Sequence, residues 1–334
     1  MFIETFTLRA AGTGGIFGFL TPLYWLFGYG MKGLLMLFND QYFIALTVFT
    51  ILTRLVLFPL NIRQQRTMAK NARIQPKIQK IQKKYNVRNI SDPKQRQKAN
   101  QQQQEEINAL YAREGHNPMQ MGCGPMAFQM IFLMGIIGII YSPLQYILGI
   151  DIGDKAEKIA TAIGYKGNYF QLELLQNIDK YKDVLTTKFG DLFTPGAIES
   201  IQNYKEHMTI GSLDMTITPS WKGGIIIIVP ILCLITSLAS SIVSTLIQKK
   251  TNQAAAQQQS SMMIMMLMMP LFSFFIAFRV PAAVGFYWMI SNLVALVQQL
   301  VMAKFFPPKK NIAREMVVNT IERRSREESI KKIS

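Results

Sequence analysis

The sequence predicts an all-α integral membrane protein with five transmembrane helices. The chain of 334 residues is 49% hydrophobic, and only 17% of its residues are charged, whereas soluble domains carry about a quarter. It also contains five apolar windows of the length that a helix needs to cross a bilayer, about 20 residues. Its apolar content excludes a disordered chain, and its long uncharged stretches exclude a pure nucleic-acid-binding domain despite the net charge of +16.

The five windows lack Asp and Glu, and we interpret each as one transmembrane helix. They are the ranges 41–60, 124–145, 225–247, 261–279 and 281–303. Two cysteines, Cys123 and Cys233, lie in apolar segments and are too few for a disulfide framework.

An earlier apolar stretch, 19–38, is a weaker candidate because it contains Pro22 and Lys32. Only Asn39 and Asp40 separate it from the first window, and we do not expect so short a link to join two antiparallel spans. We therefore interpret this stretch as an amphipathic helix lying in the membrane interface. An uncleaved signal anchor is the alternative. A cleavable signal peptide fits less well, because no basic region precedes the stretch and no clear small-residue cleavage site follows it.

The charged residues between the windows predict the orientation of the chain. Segment 61–123 has 13 basic and 4 acidic residues, and the tail 304–334 has 9 basic and 4 acidic residues. The short segment 248–260 adds two lysines, whereas segment 146–222 has 8 lysines and 10 acidic residues. Alternation of five spans puts the basic segments on one side, which the positive-inside rule identifies as the cytosol. We expect a multi-pass protein of the cell membrane, with 1–40 and 146–222 outside and the tail inside.

Segment 61–123 is predicted to be a cytosolic basic helical hairpin. Apolar residues recur at helical spacing in two arms: Ile74, Ile78, Ile81 and Tyr85, then Ile107, Leu110 and Tyr111. A turn-forming stretch from Asn86 to Pro93 separates the arms. The hairpin either fixes topology and touches anionic lipid, or docks a ribosome or another membrane complex. The residues assigned to such a contact are Lys77, Lys80, Lys83, Lys84, Arg323 and Arg324.

Arg54 is the residue that most needs an explanation. It is the fourteenth residue of the window 41–60, which places it about 20 Å from the outer end at ~1.5 Å per residue. An arginine within the bilayer costs about 2.5–3.5 kcal/mol on insertion scales, and the five windows supply no carboxylate to pair with it. It either reaches inward to lipid headgroups, or bonds helix carbonyls and hydroxyls, or faces a water-filled cavity. We favour the cavity, where the guanidinium would attract acidic groups on a passing segment.

Polar side chains in the other windows would line such a cavity. Thr236, Ser240 and Ser244 repeat every four residues in the third window. Gln129 lies in the second window, and the fifth carries Trp288, Ser291 and Asn292 among others. The competing interpretation is that small hydroxyl residues only mediate helix packing in the membrane. The candidate groove residues are Arg54, Gln129, Ser240, Trp288 and Asn292.

No pattern typical of catalysis is present. The two histidines, His116 and His207, fall on opposite sides of the membrane in the predicted topology, which removes His-based triads and paired-histidine zinc sites. The GYGMKG stretch at residues 28–33 matches a phosphate-binding fingerprint by letters alone, because no strand precedes it. We therefore predict no enzyme activity, no metal and no cofactor.

Three stretches resemble the YidC/Oxa family of membrane protein insertases. They read LTRLVLFPLNIRQQRTMAKNARIQPKIQKIQKKY, EGHNPMQMGCGPMAFQM and MMPLFSFFIAFRVPAAVGFYWMISNLVALVQQ. The resemblance covers about 20–145 and 223–305. It implies five core transmembrane helices around a hydrophilic groove that opens to the cytosol and the lipid, and a cytosolic hairpin needed for activity. It also implies that Arg54 receives acidic substrate tails, that Gln129 and Trp288 occupy groove positions, and that the tail 304–334 contacts ribosomes.

Two features depart from the family's pattern. Ala283 replaces a glycine in a Pro-Ala-Gly stretch, after Arg279 and Val280 in place of a plain apolar pair. Segment 146–222 is longer than expected and has its own helical pattern, so its role is not accounted for. Without a large domain before the first span, the chain looks like a member from a single-membrane bacterium. It does not look like a member anchored as a lipoprotein, because no lipid-attachment cysteine follows the start.

The leading hypothesis is an energy-independent insertase that moves apolar segments of nascent proteins into the bilayer. Its expected partners are nascent membrane proteins, the lipid bilayer, the ribosome and the Sec translocon. An ion- or solute-coupled transporter is one alternative, although such proteins usually need acidic residues within the membrane. A membrane tether for ribosomes, acting only through the hairpin and tail, is the other.

Overall fold

The computed structural model describes residues 20–114, 131–165, 170–251, 268 and 270–333. The described chain is mostly helical. In its first half, the helices are α1 (Thr21–Leu37), α2 (Tyr42–Val56), α3 (Phe58–Tyr85), α4 (Pro93–Arg113) and α5 (Ile131–Tyr141). A 3₁₀ turn, Val87–Asn89, lies between α3 and α4.

The second half begins with short helices and ends with long ones. The short helices are α6 (Pro143–Tyr146), α7 (Ala156–Ala162), α8 (Phe170–Gln176), α9 (Ile178–Lys188) and α10 (Pro195–His207). Strands β1 (Thr209–Ile210) and β2 (Leu213–Asp214) then form an antiparallel pair, with Thr209 opposite Asp214. The long helices are α11 (Ile228–Thr251), α12 (Ala282–Phe305) and α13 (Pro308–Ile333), and residues 270–277 are also helical.

Within the described ranges, two helical stretches are long and apolar enough to cross a membrane, Gly224–Ile247 and Ala282–Phe305. Both coincide with predicted windows. Helix α2 and the start of α3 pass the same test together, with a break at Leu57. Helix α5 is apolar but shorter. The windows 124–145 and 261–279 lie partly outside the described residues, so the total of five spans stays a prediction.

The two spanning helices expose large aliphatic side chains. These are Ile228, Ile231, Ile235, Ile242 and Leu246 of α11, and Leu293, Val297, Leu300 and Val301 of α12. A monomeric soluble protein rarely exposes so continuous an apolar surface. Lipid tails are as apolar as these side chains, so such a surface is stable in contact with the hydrocarbon core.

One compact unit comprises the described parts of 1–55, 129–240 and 268–295. Aromatic rings and glycines bring α1 close to α5. The Phe27 and Phe132 ring centroids are 5.4 Å apart, and a Cβ atom at Gly138 would lie 2.5 Å from the Tyr24 ring. Only a glycine at position 138 therefore lets these two helices approach each other without a shift.

Helices α1 and α2 fold back on one another across a short turn. The Phe27 and Phe49 ring centroids are 5.3 Å apart, although the two residues are equally far along the chain from Phe38. The turn is possible because Asn39 (φ 50°) and Asp40 (φ 59°) adopt the left-handed conformation, which Asn and Asp tolerate better than most residues. The two-residue link thus joins two helices that fold back on one another, whereas our expectation concerned two membrane spans. The interfacial position of 19–38 stays a prediction.

Segment 146–222 is not an open loop, because α7 to α10 and the β1–β2 hairpin share a core. The residues of the predicted helical pattern, Leu172, Leu175 and Ile178, are all buried. Other fully buried members are Ile159, Leu174, Leu185, Phe193 and Ile201. Thr194 caps α10 by accepting a hydrogen bond from the Ala197 N–H at 3.3 Å. We refer to residues 146–222 as the helical insert.

The other compact unit comprises the described parts of 56–128, 241–267 and 296–334, and it contains the basic hairpin. The arms α3 and α4 pack through one thin apolar seam. Its buried members are Ile74, Ile78 and Ile107, with Ile81, Leu110 and Tyr111 packed against them. These are six of the seven residues that the helical spacing predicts.

Local capping closes the hairpin. Asn86 ends α3 in the left-handed conformation (φ 42°), and its backbone N–H donates to the Gln82 carbonyl at 3.1 Å. At the start of α4, the Asp92 carboxylate accepts a hydrogen bond from the Lys94 N–H at 3.0 Å. Pro93 occupies the first turn of α4, where its missing N–H has no cost.

Ion pairs join the arms, and the tail helix α13 packs along α3. The Lys84 ammonium donates to the Glu106 carboxylate at 2.8 Å, and Lys77 pairs with Glu114. The hydrogen bond from Lys84 lowers the pKa of Glu106. The stabilisation from this pair is therefore present above the ordinary pKa of a glutamate and is lost as the pH falls through the lowered value.

We expect Ile74→Ala to loosen the hairpin, because Ile74 is 0% exposed in the seam. Truncation of a buried isoleucine to alanine typically costs about 2–5 kcal/mol. Amide hydrogen exchange of α3 and α4 in the purified protein should become faster. The exposed Lys80→Ala on the same helix is the control, and equal exchange in the two variants would contradict the packed hairpin.

Candidate functional site

Arg54 lies in the last turn of α2, where the helix dipole favours a cation. Its Nη2 atom donates a hydrogen bond to Oγ of Ser291 on α12, at a distance of 2.5 Å. Ser291 is one of the few buried polar side chains. The two residues are 237 positions apart in the sequence. This bond joins the first and the last of the predicted spans.

Two hydroxyl groups on the same helix as Arg54 are already engaged. Thr50 donates to the Leu46 carbonyl at 2.7 Å, and Thr53 donates to the Thr50 carbonyl at 2.8 Å. The buried Tyr287, one turn before Ser291, lies next to Arg54. Bonds of Thr50 and Thr53 to their own helix leave Ser291 as the hydroxyl that turns toward Arg54.

The charge of Arg54 is not neutralised by the described residues. None of the described Asp and Glu side chains forms an ion pair with it. Ser291 offers a neutral dipole and satisfies one of the five N–H donors of the guanidinium. Arg54 is only partly buried, so the site presents a cation that is held in place while its charge remains available.

This contact bears on the three interpretations of Arg54. A hydrogen bond to a hydroxyl is the contact that the second interpretation expects, and it is compatible with a hydrated cavity because the side chain is not fully enclosed. Residue patterns place Ser291 among several polar residues of the fifth window but do not connect it with Arg54. The spacing does indicate that Tyr287 and Ser291 share one polar face of α12, since the two residues are four positions apart.

None of the other candidate groove residues that the structure describes forms a hydrogen bond with Arg54. Trp288 is partly buried and packs against the apolar core. Ser240 on α11 and Asn292 on α12 are also partly buried. Among these described residues, Ser291 alone bonds the guanidinium. Gln129 lies outside the described residues.

The six basic residues assigned to partner contact fall into two groups. Lys77 and Lys84 are engaged in ion pairs within the hairpin, and Arg323 pairs with Glu327 one turn away at 3.5 Å. The residues Lys80, Lys83 and Arg324 are exposed and take no part in these ion pairs. Sequence spacing does not separate Lys77 and Lys84 from Lys80 and Lys83, because their pairing depends on the opposite arm. The spacing of four residues between Arg323 and Glu327, in contrast, does indicate that pair.

No group of three or more His, Cys, Asp or Glu residues that would suit a metal ion occurs in the described part of the chain. Cys233 is buried on α11. The groups that the structure does bring together at Arg54 are a fixed cation, hydroxyl dipoles and apolar neighbours, and these act electrostatically.

The family model described as the 60Kd inner membrane protein matches residues 34–310. The chain belongs to this family, the YidC/Oxa family. The match includes α2 with Arg54, the basic hairpin and α12 with Ser291. This YidC/Oxa member is a mostly helical membrane protein.

Three relatives carry insertase names. A membrane protein insertase YidC of Oceanobacillus iheyensis is 34% identical over 112 residues, which cover 34% of this chain and 40% of the relative. One of Alkalihalophilus pseudofirmus is 36% identical over 126 residues, covering 37% and 46%. The membrane protein insertase MisCA of Bacillus subtilis is 36% identical over 97 residues, covering 29% and 34%. The aligned part of the chain thus covers less than half the length of each of these YidC/Oxa relatives.

We expect Ser291→Ala to have a modest effect on the stability of this YidC/Oxa protein. With water beside the guanidinium, the loss should equal one hydrogen bond from a charged donor, about 1.5–3 kcal/mol. Thermal unfolding in detergent measures the change, and Ser240→Ala is a matched control because Ser240 does not bond Arg54. A loss above about 3 kcal/mol would instead indicate a buried charge left uncompensated in dry packing.

Proposed function

We propose that the protein is a membrane protein insertase that helps apolar segments of nascent proteins enter the lipid bilayer. The observation that carries the proposal is Arg54, a cation held in an apolar helix by a hydroxyl and unpaired with any described carboxylate. Membership of the YidC/Oxa family and the insertase names of its relatives support it.

The proposed mechanism separates the two parts of a substrate. The apolar segment remains against the lipid-facing helices, while the hydrophilic tail enters a water-containing groove beside Arg54. Peptide groups in hydrocarbon must be hydrogen-bonded or they become very unfavourable, so a hydrated path lowers the barrier to crossing. Arg54 then favours acidic tails by Coulomb attraction, which is stronger there than in bulk water. No step of this mechanism requires a cofactor.

The proposed topology has five spans, an N-terminus outside and a C-terminus in the cytosol of a cell-membrane protein. In this orientation the hairpin and α13 face the cytosol, where ribosomes carry nascent chains. Lys80 and Lys83 are the hairpin lysines best suited to contact the ribosome, because the hairpin's own carboxylates bind Lys77 and Lys84. The Sec translocon is a further proposed partner.

We expect Arg54→Glu to reduce insertion of substrates with acidic tails by at least about tenfold, equivalent to ~1.4 kcal/mol, because it replaces attraction with repulsion. Insertion of neutral-tail substrates should change little. Protease protection of the tail in proteoliposomes measures both. Arg279→Glu makes the same charge change at an exposed position and is the control.

Full insertion of every substrate by the Arg54→Glu variant, at normal protein levels, would refute the arginine mechanism. Uptake of a small solute into proteoliposomes that depends on the protein would instead support a transporter. The absence of Asp and Glu from the five windows argues against that alternative.

A ribosome tether is the second candidate, and the independently packed hairpin favours it as a separate activity. We expect a Lys80→Glu and Lys83→Glu double variant to lower ribosome co-sedimentation by at least about tenfold at low salt, since phosphate contacts dominate such binding. Lys94→Glu with Lys98→Glu on α4 matches the charge change. If deletion of 62–116 abolishes all function while Arg54→Glu has no effect, the protein is only a tether.

A further inference from the structure

Helix α12 begins without a side-chain cap of its own. The residue before it is Pro281, and the first residues are Ala282 and Ala283, none of which carries a side-chain oxygen. The first four N–H groups of any α-helix lack partners within the helix. A buried helix start of this kind needs acceptors from elsewhere, and Ala282 and Ala283 are both 0% exposed.

The helical insert supplies these acceptors. The Ala282 N–H donates to the Ile217 carbonyl at 2.9 Å, and the Ala283 N–H donates to the Met215 carbonyl at 2.9 Å. Residues 215 and 217 come just after strand β2. We refer to Asp214–Ile217 as the capping segment, since its backbone carbonyls accept hydrogen bonds from two N–H groups of α12 that have no partner within the helix.

Side chains of the insert fix the shape of the capping segment. The Asp214 carboxylate accepts hydrogen bonds from the Thr216 N–H at 2.9 Å and from the Thr216 hydroxyl at 2.6 Å. The Gln176 amide on α8 donates to the Thr216 carbonyl at 2.7 Å. The carbonyl of residue 216 thus bonds the insert, while those of 215 and 217 bond α12, as expected where successive groups alternate in direction.

Close packing also holds the first turns of α12 against α2 and α11. The Phe43 ring on α2 and the Phe286 ring on α12 meet edge to face, with centroids 5.1 Å apart. A Cβ atom at Gly285 would lie 2.9 Å from Val229 of α11. From Ala282 to Ser291 the helix rises ~13.5 Å at ~1.5 Å per residue. The height and rotation of Ser291 therefore follow from the position of the first turn.

We propose that the capping segment is a positioning device: it sets the height and rotation of α12 so that Ser291 meets Arg54. Asp214, Thr216 and Gln176 are positioning residues in this assignment. This gives the helical insert a role, and it rests on the proposed function because it concerns the same arginine.

The test compares Thr216→Val with Thr218→Val in the full-length protein. Thr216→Val removes the hydroxyl bonded to Asp214 with almost no change in shape, whereas Thr218 is exposed two residues further on. Gln176→Leu is a second variant that weakens the segment from the opposite side. We expect Thr216→Val and Gln176→Leu to lower insertion of acidic-tail substrates at least about threefold, a coupling typical of neighbouring groups, and Thr218→Val to have no effect.

Two readouts separate positioning from general loosening. Insertion of neutral-tail substrates should not change, and in an Arg54→Gln background the variants should cause no further loss, because the arginine that they position is gone. Hydrogen exchange of the peptide that contains Ala282 and Ala283 should become faster in both variants. Equal losses for both tails, or losses that persist in the Arg54→Gln background, would overturn the positioning role, as would unchanged insertion of acidic tails.

The outcome also distinguishes the two proposals. If Arg54→Gln itself leaves acidic-tail insertion unchanged, the arginine mechanism of the proposed function fails and the inference fails with it. If Arg54→Gln reduces that insertion while Thr216→Val and Gln176→Leu do not, the proposed function stands and the capping segment only closes the end of a helix.

Discussion

An arginine in an apolar helix, held by a neutral hydroxyl, is the constraint on which the site depends. A carboxylate at the position of Ser291 would bind the Arg54 guanidinium more strongly, but it would also neutralise the charge. A hydroxyl orients the side chain through one bond of 2.5 Å and leaves the electrostatic attraction for another group. Because no carboxylate neutralises the guanidinium, the site is less stable than an ion pair would be, but the charge of Arg54 can still attract an acidic group.

The position of Arg54 at the end of a helix lowers the free-energy cost of placing its charge in an apolar segment. Arg54 lies in the last turn of α2, which ends at Val56. Pro59, in the first turn of the next helix, has no N–H with which to continue the hydrogen bonds of α2. A cation at the C-terminal end of a helix gains from the helix dipole, which offsets part of the cost of removing it from water. The same residue in the middle of α2 would have neither this gain nor an adjacent helix end.

Much of this organisation could be predicted from residue patterns, and the failures have a common cause. Helices α11 and α12 follow from long apolar windows, and the seam of Ile74, Ile78 and Ile107 follows from helical spacing. Spacing identifies which face of a helix is buried, but it does not identify the partner of that face. The bond from Arg54 to Ser291 and the antiparallel packing of α1 on α2 were missed for this reason, since each depends on which helices become neighbours.

The two departures from the family's pattern meet in one hydrogen bond. The N–H of Ala283, the residue of the first departure, donates to the Met215 carbonyl in the helical insert, the segment of the second departure. Alanine loses less conformational freedom than glycine when a helix forms, and here its buried methyl group packs in a first turn that the insert caps from outside. The backbone of the helical insert and the less flexible residue at position 283 therefore act on the same turn of α12, and in the proposed positioning role both define the height of Ser291.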